Sequence, residues 1–252
     1  MKQAFLGAFS WLTPRFYLGQ WAGNLLLMFL AAAWLQIPDS HSWEFLFSIV
    51  SAVLLVVGFL WLYIATFRHL RACRPRAPWW QAAISLAVFV LLWWLMLQLI
   101  AAGRAHESLY AGYANSQSTT WIRYHLGYSA LVAWQERIYD CAQCLWGGLL
   151  LPAAVVICAC GLSRSGLSRI VRVYAHWFYW LVVLFAGLVG EWVTWALADW
   201  TPAFGLAGQT VSVVLRLGLA YSADILHWCF VLCLIAYYLH RASDVAIESD
   251  SR

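Results

Sequence analysis

The chain has 252 residues, of which 64% are hydrophobic and 10% charged, with a formal net charge of +4. A soluble domain carries about a quarter charged residues, so this composition excludes an ordinary water-soluble protein. The charge is too small and too scattered for a nucleic-acid partner; the partners expected are the lipid bilayer and other membrane subunits.

The chain opens with Lys2 and an apolar stretch in which Phe5, Phe9, Leu12 and Phe16 fall at helical spacing. Residues 1–16 are read as an interfacial helix on the cytoplasmic leaflet. The Ala31-Ala32-Ala33 stretch imitates a signal-peptide cleavage site, but Trp11, Pro14 and Arg15 make a poor leader. Six long apolar stretches then follow within residues 17–240: Tyr17–Ile37, Trp43–Phe67, Trp79–Ala102, Cys141–Gly161, Tyr174–Ala198 and Leu217–His240. Each is long enough for a helix to cross a bilayer. Continuous apolar runs favour helices over barrel strands, which alternate in short segments. Breakers separate the spans, among them Pro38-Asp39 and Arg74-Pro75-Arg76-Ala77-Pro78. Pro152 falls inside the fourth span, where a membrane helix tolerates it.

Between the third and fourth spans lies an outer loop, 103–140, too short for an independent domain. Its second half, Thr120–Asp140, reads as a short amphipathic helix leading into span four. The tail, 241–252, is acidic and expected to be disordered. The fold class expected is all-α: a polytopic transmembrane bundle of about six spans.

Basic residues orient it. Lys2, Arg15, Arg68, Arg71, Arg74, Arg76, Arg164, Arg169, Arg172, Arg241 and Arg252 fall on one side, against Arg104, Arg123 and Arg137 on the other, with Arg216 near that second face. The bias places both termini in the cytoplasm of a bacterial cell, with the spans in the inner membrane. Many of the 18 Trp, including Trp34, Trp43, Trp79 and Trp80, fall where spans meet headgroups, as an aromatic belt does.

Chemistry is sparse. Cys141-Ala142-Gln143-Cys144 puts two sulfurs one turn apart, at the outer interface on this topology, and is the candidate redox pair. Its weakness is the lack of a second outward cysteine pair to pass electrons on. Haem would need paired axial histidines. By residue count His176 and His227 lie about 3 Å and about 20 Å from the inner face, so bis-histidine haem is disfavoured. No metal-ligand spacing, phosphate-binding glycine loop, dinucleotide fingerprint or nucleophile elbow is present, so neither metal nor cofactor is expected.

The remaining candidates are the intramembrane charges Glu191, Arg216 and Asp224, with His227 one turn after Asp224. A charge at the centre of a span costs about 2.5–3.5 kcal/mol on insertion scales, and so marks a candidate site. Counting along upright helices puts Glu191 and Asp224 about 26 Å and about 24 Å above the inner ends of their spans. They should therefore meet beneath the outer headgroups, with Arg216 as a lid at the water boundary. The expected function is a non-enzymatic permease-like protein or scaffold subunit carrying this polar cluster. The alternatives are a thiol–disulfide oxidoreductase using Cys141 and Cys144, and a lipid- or quinone-modifying enzyme using Glu191 and His227.

Overall fold

The computed structural model describes residues 2–38, 40–70, 77–125, 127–162, 164–199 and 206–250; the side chains of residues 2, 122, 125, 164–165, 186, 191, 194–195, 198, 206–209 and 241–250 lie outside that description. The described residues are almost entirely helical, with no strand among them. In chain order the helices are α1 (Lys2–Trp11), α2 (Pro14–Trp34), α3 (Ser42–His69), α4 (Trp79–Ala105), α5 (Glu107–Gln117), α6 (Thr120–His125), α7 (Tyr128–Cys160), α8 (Arg164–Tyr174), α9 (Trp177–Asp199) and α10 (Leu206–Asp250).

Five of these helices are long and apolar enough to cross a membrane. A sixth span results if Gly166–Tyr174 and Trp177–Gly190, which meet at 69°, are taken as one broken span. The burial pattern is that of a protein dissolved in lipid. Phe29, Phe45, Leu54, Trp61 and Leu99 are all more than half exposed, a surface that a soluble monomer does not present.

Local chemistry sets the helix ends. Pro14 occupies the first turn of α2, and Thr13 caps it by accepting from the Phe16 N–H. At the head of α3, the Glu44 carboxylate accepts from Ser40 Oγ at 2.8 Å and from the His41 N–H at 3.0 Å. α7 stops at Gly161, whose φ of 74° suits a residue without a Cβ.

Six helices pack as a ring: α2 on α3, α3 on α4, α4 on α7, α7 on α9, α9 on α10, and α10 back on α2, with α3 and α7 also touching across the interior. Small residues let the helices approach, as membrane interfaces require. A Cβ on Gly23 would lie 2.9 Å from Leu62 Cδ1, and one on Gly148 2.7 Å from Val183 Cγ1. Polar pairs join the same helices: Gln20 Nε2 donates to Thr66 Oγ1, and Tyr63 Oη donates to Asn24 Oδ1 at 2.8 Å. The core is built around α10, where Cys229, Leu232, Cys233, Leu234, Ile235, Ala236 and Leu239 are fully buried.

α10 does not run parallel to α2 and α3. Phe16 stacks on His69, so the start of α2 meets the end of α3. His240 Nε2 lies 3.0 Å from the Leu70 carbonyl at that end. Yet Tyr17 Oη donates to Ser222 O at 3.1 Å, and Trp21 Nε1 donates to Ser222 Oγ at 3.0 Å. Ser222 precedes His240 by about 27 Å of helix. Both ends of that stretch touch the same end of the α2–α3 pair, so α10 crosses the pair obliquely.

α1 packs on α10: Ala4 and Ala8 are buried, Gly7 lies beneath the Tyr237 ring and Trp11 stacks on His240. The packed stripe is the small one, while Phe5 and Phe9 stay half exposed. The outer segment Thr120–Asp140 is not one helix; it breaks at Gly127, and from Tyr128 onward it is continuous with α7. Finally, α10 runs on to Asp250 through the acidic tail, which contains no Gly or Pro to stop it.

Candidate functional site

A cavity of about 720 Å³, open along part of its wall, lies between α3, α4, α7, α9 and α10. One wall is aromatic. Phe59, Tyr63 and Phe67 project at successive turns of α3, with neighbouring ring centroids 4.5 and 6.3 Å apart. Trp228 of α10 meets Tyr63 edge-on at 5.9 Å. Tyr63 is held by Asn24, which itself donates to Gln20 O at 2.8 Å. Opposite stand Leu86, Phe89, Val90 and Trp93 of α4; Leu151 and Ala154 of α7 and Val183 of α9 complete the apolar part.

Gln143, Cys144, Asp224 and His227 also line the cavity, and they gather through two glycines of α9. A Cβ on Gly187 would sit 2.5 Å from Cys144 Sγ, and one on Gly190 would sit 2.9 Å from His227 Nδ1. The thiol of α7 and the imidazole of α10 therefore occupy side-chain space that α9 leaves empty one turn apart. Asp224, one turn before His227, is exposed and forms part of the lining. Ala154 lies about 15 Å down α7 from Cys144, so the cavity is polar at one end and apolar at the other.

Asp224 and His227 share the cavity, and His227 packs on the residue next to Glu191, whose own side chain lies outside the described residues. Arg216 is not a water-exposed lid: it is buried, and its Nε donates to Ser212 O at 3.4 Å within its own helix. Residue counts along α10 are not heights, because that helix is oblique. The common level beneath the headgroups does not follow from them.

Neither Cys141 nor Cys144 is in a disulfide. Only Cys144 reaches the cavity. Cys160, at the end of α7, is disulfide-bonded, and Cys73 lies outside the described residues. His176, the other histidine weighed for haem, stacks on Tyr238 with centroids 4.6 Å apart. Among the described residues no three His, Cys, Asp or Glu come together as could hold a metal ion. The sequence reading missed the aromatic wall and Gln143. The signal was present as aromatics at i, i+4 and i+8 in α3, but such a stripe is equally what a packed membrane helix shows.

Where the end of α4 meets α7, Arg104 Nη2 pairs with Asp140 Oδ1 at 2.9 Å and Arg137 Nη1 approaches Asp140 Oδ2 at 3.8 Å. Asp140 therefore ties the end of α4 to α7, one turn before the lining residues Gln143 and Cys144. Comparison with known protein families, with curated proteins and with solved structures finds no match.

Proposed function

We propose that the protein is a non-enzymatic, permease-like component of a bacterial inner membrane that holds a small molecule in its interhelical cavity. Six spans support this reading if the bent α8–α9 pair crosses as one, which leaves both termini on the Arg-rich, cytoplasmic side. The carrying observation is the cavity itself: about 720 Å³, walled by five helices, apolar along most of its length and polar at one end. That size and make-up match small-molecule sites, which are mostly apolar with a few placed polar groups. A pure scaffold subunit has no need of such a space.

The test is direct. The purified protein in nanodiscs should bind the neutral dye N-phenylnaphthylamine saturably, above empty discs. Leu151→Trp, which fills the cavity from α7, should remove that binding while the protein stays monodisperse. Binding that is absent, or that survives the filling, defeats the reading.

One observation favours a second reading, a lipid- or quinone-modifying enzyme: the imidazole of His227 is on the cavity wall. It would act as an acid–base group there, with Glu191 on the neighbouring helix. Turnover of an added lipid or quinone, lost in His227→Gln with binding retained, would select it.

A further inference from the structure

We infer that the cavity is a site for quinone-type lipophiles: flat rings with an uncharged oxygen head, entering from the bilayer and hydrogen-bonded at the head by Gln143 and His227. This ligand class rests on the small-molecule reading above, and only binding is claimed for it.

Gln143 and His227 both line the cavity at its polar end, and among the described residues neither makes a hydrogen bond. The charge of Asp224 reaches the imidazole only through space. By contrast, Gln20 donates to Thr66, Tyr63 to Asn24 and Tyr179 to the Gly148 carbonyl. A hydrogen bond left unmade inside a membrane bundle is costly. An amide and an imidazole open to a cavity therefore mark where the polar atoms of a ligand belong. Each can donate to a carbonyl and accept from a hydroxyl. Cys144 and His227 fill the space that Gly187 and Gly190 leave, so the head would sit beside α9.

The walls suit a ring. Phe59 and Tyr63 stand at successive turns of α3, Trp228 meets Tyr63 edge-on, and Phe89 and Trp93 line the space from α4. Aromatic faces and edges take a further ring at centroid separations of about 4.5–7 Å.

The opening faces hydrocarbon. Val90 of α4 lines the cavity and is 41% exposed, so there the cavity wall meets the surface of the bundle. Val56, one turn before Phe59 on the same face of α3, is 58% exposed. Val56 lies about 20 Å from either end of α3, and Val90 about 17 Å and about 22 Å from the ends of α4. Both therefore fall near the middle of their spans. A molecule arriving there comes through the acyl chains, where a charged head is costly.

Decylbenzoquinone and decylbenzene share a ring and a tail and differ in the head. With the full-length protein in nanodiscs, a scintillation proximity assay corrected for empty discs should show saturable binding of tritiated decylbenzoquinone. Decylbenzene should need at least about tenfold more to displace it, the scale of one to two lost hydrogen bonds. Gln143→Leu and His227→Leu should each weaken quinone binding about fivefold to tenfold. N-phenylnaphthylamine, which has no oxygen head, should bind both variants within about twofold of the parent, which also shows that they are folded. Absence of saturable quinone binding, equal displacement by decylbenzene, or quinone binding unchanged in either variant overturns the inference. If the quinone fails in one of these ways while the dye still binds and Leu151→Trp still blocks it, only the ligand class falls. Loss of saturable binding by dye and quinone alike removes the small-molecule reading as well.

Discussion

Gly148 is where the α7–α9 contact is tightest against a single branched side chain. A Cβ placed there would lie 2.7 Å from Val183 Cγ1 and 3.3 Å from Trp180 Cζ3. Carbon atoms prefer about 3.5–4.0 Å, so Gly148→Ala must push α9 away by roughly an ångström. Overpacking of this kind costs about 1–3 kcal/mol. The same carbonyl accepts from Tyr179 Oη at 2.7 Å, and an interhelical hydrogen bond in a membrane contributes about 0.6 kcal/mol. Gly148→Ala should therefore lose about 2–3 kcal/mol of stability, read by steric trapping or by reversible unfolding in mixed micelles. Val183→Ala removes the offending methyl. In that background Gly148→Ala should cost less than about 1 kcal/mol, a coupling that a double-mutant cycle isolates. If Gly148→Ala is as stable as the parent, or if its cost is unchanged in the Val183→Ala background, the close approach of α7 and α9 is wrong.

Two further outcomes follow from other parts of the bundle. Tyr63→Phe keeps the ring on the cavity wall but loses the bond to Asn24, so it should lower stability by about 0.6 kcal/mol; a loss several times larger would show that Tyr63 supports more than that bond. A reporter active only in the cytoplasm should work when fused after Arg169 or Arg252 and be silent near Asn115; activity at Asn115 would invert the orientation and put the Cys160 disulfide on the oxidising side, where such bonds persist.

Much of the membrane frame was readable from residues alone, for a physical reason. α2 and α3 are apolar runs closed by Pro-containing breakers and α4 starts behind one, and their boundaries fall within a few residues of the expected ones. The bend between α8 and α9 was not readable, because Tyr174-Ala175-His176 contains neither Gly nor Pro. The helix gives way there where Tyr174 Oη turns to the Leu149 carbonyl and Trp180 Nε1 donates to Tyr174 O at 2.9 Å. The oblique course of α10 was hidden for another reason: hydropathy gives the length of a span and says nothing of its tilt, which packing sets. Asp224 and His227 stood out because polar groups in an apolar run are conspicuous. The cavity they border draws on five helices that are far apart in the chain. Gly187 and Gly190 held the local clue, since small residues three apart on one helix face invite the neighbours' side chains, here Cys144 and His227.

The central claim is that a small molecule can occupy the space between these helices, and Cys144 reports on it from the wall. N-ethylmaleimide is neutral, small and membrane-permeant, and its modification of each cysteine can be read by mass spectrometry in intact membranes. Cys144 lines the cavity, whereas Cys229 and Cys233 are fully buried in the core. The account predicts that Cys144 is modified in the parent and protected in Leu151→Trp, with Cys229 and Cys233 unmodified in both. Equal modification of Cys144 in the two proteins, or reaction of Cys229 and Cys233 ahead of it, would contradict the account.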